Sequence, residues 1–154
     1  MRNILVTIDF EEQASRLLEQ AEIFAKKFDS KIWLVHISEP DPDFIGYEVG
    51  PQNVRDIRAA ELREEKGLIE KFAADLRAKG IDATGYLIEG PTVGMILKQI
   101  KKLEIDLVLI GHHKHNYFYK TFLGNTDLSI VNRSPVPVYV VPLNQLVVAD
   151  INTN

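Results

Sequence analysis

Apolar residues along this chain follow two alternating rhythms. The run ILVTI (4–8) is short, apolar and β-branched and stops at Asp9, and KIWLVHI (31–37) stops the same way at SEPDPD. Both predict buried strands. Between them Ala14, Leu17, Leu18, Ala21, Phe24, Ala25 and Phe28 recur at three- and four-residue steps, with Glu12, Glu19, Glu22, Lys26 and Lys27 on the other face. That spacing predicts an amphipathic helix, opened by Asp9 or by Glu11 and Glu12 near its positive end.

The stretch 38–53, with three prolines and two glycines, has no sustained period and predicts a long ordered loop or lid. A helix over roughly 54–79 follows, with Ile57, Leu68, Phe72 and Leu76 inward, a polar first half in solvent, and Gly80 as its stop. ATGYLI (83–88) alternates as a strand. After Gly90-Pro91, Val93, Ile96, Leu97, Ile100 and Leu103 share one helical face, and DLVLI (106–110) is a fourth strand. Thr126 to Arg133 predicts a short helix carrying Leu128, Ile130 and Val131. VPVYVV (136–141) is a fifth strand, which Pro135 and Pro137 restrict to an edge or a strand start. The expected domain spans 1–143, with 144–154 as a tail in which LVVA could pair weakly.

Strands alternating with helices over this length predict an α/β fold, a doubly wound parallel sheet of five strands with helices on both faces. Ligands of such sheets sit outside the carboxyl ends of the strands, where the strand order reverses. The loops after Ile8, Ile37 and Ile110 are therefore the place to look.

Composition narrows the function classes. At 154 residues and 45% apolar content the chain fits one domain with one core. A balance of 18 basic against 22 acidic residues gives a net charge of -4, so no global attraction to nucleic acid or an anionic membrane is expected. The absence of cysteine excludes disulfides, zinc-thiolate sites and thiol nucleophiles. No signal-like start and no long apolar run occur, so a cytoplasmic protein is the expectation. The phosphate-binding loop of P-loop enzymes, the hydrolase serine elbow, His-Glu-x-x-His and the dinucleotide fingerprint are all missing, and no catalytic role is expected.

Several segments together carry a more specific likeness: ILVTIDFEEQASRLLEQAEIFAKKF, WLVHI, GPTVGMILKQIKKLEIDLVLIG, a glycine thirteen positions after Gly111, and SPVPVYVVP. In these the chain resembles the universal stress protein family over essentially its whole length. The resemblance implies strand order 3-2-1-4-5 (an adenine nucleotide alpha hydrolase-like fold) and a homodimer through the last strand, Val136 to Val141. It also implies an adenine nucleotide (AMP, ADP or ATP, the last with magnesium) bound without robust catalysis. Carried over residue by residue, Asp9 matches the adenine-contacting aspartate and closes the strand that ends in Thr7 and Ile8. Ile37 matches a position whose backbone meets the base. Gly111, which follows Ile110, and Gly124 match the first and last glycines of the loop after strand four. The middle glycine of that motif is Lys114 here, and the hydroxyl position after the last glycine is Asn125, with Thr126 one step later.

A phosphate cradle gathers backbone N–H groups on one point and normally uses glycine to do so. Lys114 removes that backbone freedom while adding a point charge with three donors. Asn125 is a good N-cap and, with Thr126, can present donors at the positive end of the last helix. Asp127 in that first turn repels a triphosphate unless a divalent cation intervenes, so a shorter nucleotide suffers less.

Other readings stay open at this point. Asp9 could simply cap the first helix. His112, His113 and His115 suggest a metal, yet neighbouring histidines in an extended segment diverge and no metal site is expected. His36 is expected as a hydrogen-bonded, partly buried imidazole. Tyr117, Phe118, Tyr119 and Phe122 fit loop packing better than base stacking. Lys98, Lys101 and Lys102 are the solvated face of a helix. A regulatory module of the same fold that binds no nucleotide is the alternative function.

Overall fold

The computed structural model describes residues 1–10, 14–38, 52–112 and 124–143, with the backbone alone at 53 and 124–127. The elements within them are β1 (Asn3–Thr7), α1 (Ala14–Phe28), β2 (Lys31–Ser38), α2 (Gln52–Ala78), β3 (Ala83–Glu89), α3 (Thr92–Lys102), β4 (Leu107–His112), α4 (Gly124–Arg133) and β5 (Val138–Pro142). All pairings are parallel and the order is β3-β2-β1-β4-β5, as the resemblance implied.

The apolar strands are covered on both faces, which is why they read as continuous runs rather than alternations. On one face Ile4, Val6, Leu34 and Leu109 pack beneath Leu17, Ala21 and Ala25 of α1 and Ile69, Ala73 and Leu76 of α2. On the other, Leu5, Val35, Val108 and Ile110 meet Ile96 and Ile100 of α3 and Ile130 of α4. β5 is an edge strand, as its prolines require: Pro137 has no N–H to give the ladder, but its carbonyl accepts from Val108 N at 3.0 Å.

α1, α2 and α3 end in one way. Gly80 at φ +81 ends α2, with Ile81 N donating to the Leu76 carbonyl at 3.1 Å. Asp29 at φ 51 and Glu104 at φ 50 do the same for α1 and α3, where Ser30 N and Ile105 N reach the carbonyls of Ala25 and Ile100. The N-terminus is tied down by Asp106, whose carboxylate accepts from the backbone N–H groups of Arg2 (2.6 Å) and Asn3 (2.9 Å). Those two bonds, Asn3's first, hold its carboxyl below the usual range.

Some apolar positions face solvent against expectation. Ile57 is 59% exposed because it lies in the polar first half of α2, close to where Arg58 meets Ser38 at the end of β2, so little strand remains beneath it. Leu68 is also exposed, since the buried stripe of α2 runs through Ile69, Ala73 and Leu76. Phe28 stacks on Phe24 at the rim of α1 and stays half exposed, and Leu128 and Val131 point outward from α4. Of the loop expected at 38–53, Ser38 ends β2 and Gln52 and Asn53 open α2, while 39–51 lie outside the described residues, as does the expected tail at 144–154. Leu143 is buried in the α1–α2 core.

Candidate functional site

The sheet reverses its order at β1, which lies between β2 and β4. Val6 is level with Leu34 on one side and Leu109 on the other, so the three carboxyl ends open side by side. The structure thus brings together Thr7, Ile8 and Asp9 from β1, Ile37 from β2, and Ile110 and Gly111 from β4. Ile8 is buried in the α1–α2 core and Ile110 in the α3–α4 core, and Thr7 and Ile37 are half-buried. Ile8 has both backbone groups engaged: its N–H donates to Val35 O at 2.9 Å and its carbonyl takes the His36 ring at 2.7 Å. The Asp9 side chain is 75% exposed at the mouth of the crevice.

α4 runs back from the carboxyl end of β4 to the start of β5, so its N-terminus faces the same end of the sheet. The helix opens at Gly124, two residues before the expected Thr126, so Asn125 sits inside the first turn and is not its N-cap. The first four N–H groups of any helix lack intrahelical partners, and here they are those of Gly124, Asn125, Thr126 and Asp127. A ready group of anion-directed donors with a positive dipole end results. Lys114 lies outside the described residues, as do His113, His115, Tyr117, Phe118, Tyr119 and Phe122.

Gly111 proves to be a strand residue of β4 opposite Val141, with a negative φ. Its lack of a side chain is explained by β5: a Cβ built on it would fall 2.4 Å from Cδ1 of the buried Leu143. On the α1 side Gly111 therefore makes room for the packing of Leu143.

His36 fulfils its expected structural part. The ring is 13% exposed and packs on Phe10 with centroids 4.3 Å apart, while Phe10 stacks on Phe72. Its Nδ1 lies 3.8 Å from Asp9 Oδ1 and its Nε2 4.0 Å from Glu65 Oε2. Glu65, Phe10 and Phe72 were not legible as site residues. The available signal was Glu65 itself, a charge four residues before Ile69 and so in phase with the buried stripe of α2. Nearby, Arg58 donates to Ser38 Oγ at 2.7 Å and lies 3.5 Å from Glu61.

Among the described residues no cluster of three or more His, Asp or Glu is placed to hold a metal ion, and no helix is long and apolar enough to cross a membrane. An exposed carboxylate and a helix N-terminus at the same end of the sheet suit a ligand with an amine-bearing ring at one end and an anion at the other.

The comparisons agree with this architecture. The chain is 28% identical over 141 residues to Universal stress protein C of Salmonella typhimurium, covering 92% of this chain and 95% of that one. A universal stress protein from Archaeoglobus fulgidus, solved in complex with dAMP, superposes with a TM-score of 0.65 at 15% identity, covering 92% of this chain and 98% of the other. Another, solved in complex with cAMP, gives 0.66 at 15% identity over 93% and 98%. The model of the Universal stress protein family matches residues 1–142, from the start of the sheet to the last residue of β5, and the chain belongs to that family.

Proposed function

We propose that this universal stress protein is a homodimeric binding module that takes up an adenine nucleotide, with AMP favoured over ATP, and does not turn it over. The observation that carries the reading is the convergence of the Asp9 carboxylate and the N-terminus of α4 at the reversal of the sheet. In that reading Asp9 accepts from the exocyclic amine of adenine. Thr7, Ile8, Ile37 and Ile110 form the floor, and the α4 N–H groups from Gly124 to Thr126, with Lys114, hold the phosphate. The two nucleotides in the related structures, dAMP and cAMP, each carry one phosphate, which supports the shorter ligand that Asp127 favours. ATP would require magnesium between its phosphates and Asp127. The reading assigns no residue a catalytic role, and the expected compartment is the cytoplasm.

The test is to denature freshly purified protein, analyse the released nucleotides, and titrate the emptied protein with AMP and with ATP, each with and without magnesium. Released adenine nucleotide and tighter binding of AMP are expected. No release and no heat with either nucleotide would favour the regulatory module without nucleotide. Gly124→Val should abolish binding with the fold retained, because a β-branched side chain intrudes on the phosphate end.

A further inference from the structure

Among the described residues a groove of about 430 Å³ opens between α1 and α2. Ser15, Leu18, Glu19 and Glu22 of α1 line it at the spacing i, i+3, i+4, i+7. Phe72, Asp75, Leu76 and Lys79 of α2 line it at the same spacing. Two neighbouring helices that each turn a stripe of two turns toward one groove present the ridged surface on which a further helix packs. The floor is apolar, with Leu76 buried and Leu18 and Phe72 half-buried. The rim is acidic, since three of its four charged side chains are carboxylates. Lys26 and Lys79 both donate to Glu22, each at 2.7 Å, so that carboxylate is neutralised and the bridge from Lys79 closes one end of the groove. Glu19 and Asp75, one on each wall, make no hydrogen bond or salt bridge among the described residues and stay available to a cation.

We propose that the α1–α2 groove docks an amphipathic helix of a separate protein, one whose apolar stripe is flanked by lysine or arginine. The stripe lies on Leu18, Phe72 and Leu76, and the basic flanks reach Glu19 on one wall and Asp75 on the other. Charge argues against the chain's own tail as the occupant, because residues 144–154 carry an aspartate and no basic residue. The expected dimer seam lies elsewhere: Gln20 and Phe24, on the far flank of α1, meet Tyr139 of β5. No residue of the groove belongs to the proposed nucleotide site, so the inference is independent of the adenine reading.

The probe is a fluorescein-labelled synthetic peptide of about 18 residues, or about five helical turns, with leucine at i, i+3, i+4 and i+7 and lysine on both flanks. Its anisotropy is followed as the full chain is added, beside a scrambled peptide of the same composition and with spermine as a competitor. The ordered peptide should bind about tenfold more tightly than the scrambled one and should shift the amide NMR signals of Leu18 and Phe72. Glu19→Lys combined with Asp75→Lys should weaken it roughly tenfold. The same charge change on the first half of α2, Asp56→Lys with Glu64→Lys, should leave the affinity within about twofold. All four positions are exposed, and circular dichroism checks that each variant keeps the fold. No binding to the wild type, or shifts confined to residues outside α1 and α2, overturns the proposal. Equal binding of the scrambled peptide, or equal losses in the two double variants, reduces the effect to net charge and also overturns it. Displacement of the peptide by spermine at the peptide's own affinity would make the groove a site for small organic cations instead of a helix.

Discussion

At single positions, chemistry and packing divide the labour in ways that a sequence reveals unevenly. Gly111 reads as a motif glycine, yet its contact is with Leu143, whose Cδ1 would lie 2.4 Å from an added Cβ. Gly111→Ala should therefore destabilise the protein by about 1–3 kcal/mol through overpacking, measured by urea unfolding. In the double variant with Leu143→Ala the two costs should fall short of additivity, because each change relieves the other. Strict additivity would mean that the glycine is required for something other than Leu143. His36 was legible because a histidine in a buried strand must find a partner, and the Ile8 carbonyl is that partner. Glu65 was not, since a single charge in the charge-rich α2 looks solvated until the helix phase is fixed by Ile69, Ala73 and Leu76.

Whole elements were more readable than their ends. The strand runs and the faces of α1 and α3 follow from period alone, because burial on a sheet demands it. Helix ends were legible only where glycine marks them. Gly80 is visible, whereas Asp29 and Glu104 take up the same left-handed φ without any sequence signal. Glu104 lacks the short side chain that eases this conformation, so Glu104→Gly should stabilise the protein by roughly 0.5–1 kcal/mol. The accepting role of its carbonyl toward Asn3 Nδ2 is unchanged by the substitution. An unfolding midpoint that stays put or falls would show that φ 50 there carries no strain. The tie between Asp106 and the start of β1 gives a pH signature. Its folded carboxyl lies below the unfolded one, so the stabilisation is present above the ordinary carboxylate range, around pH ~4, and is lost as pH falls through the lowered folded value. Asp106→Asn should be less stable than wild type at neutral pH, with the gap closing in acid. A gap that persists in strong acid would assign the effect to packing.

For the molecule as a whole, the sheet leaves two edges, β3 and β5, and the outward apolar groups are not shared equally between them. Among the described residues of β3 itself Tyr86 is the exposed large apolar one, with Ile57 and Leu68 exposed on the overlying α2, and the strand ends in Glu89, a charge that discourages edge pairing. At β5, Tyr139 (40%) and Val140 (42%) are exposed on the strand itself, and Leu128 (57%) and Val131 (45%) on α4. A short apolar edge of this kind either pairs with its twin or invites aggregation, which makes β5 the expected dimer seam. The described β5, Val138 to Pro142, begins two residues after the expected Val136 because Pro137 cannot donate to the ladder. The pairing surface is therefore small, and one charge at its centre should suffice to break it. Val140→Lys should sediment as a monomer at micromolar concentration with an unchanged circular dichroism spectrum, whereas the corresponding change at the opposite edge, Tyr86→Lys, should leave the dimer intact. A wild type that is already monomeric, or a dimer lost through Tyr86→Lys instead, would move the seam away from β5. In the proposed adenine site Asp9 and the N-terminus of α4 belong to one chain. AMP binding should therefore survive in the Val140→Lys monomer, and its loss there would mean that the crevice is completed by the twin.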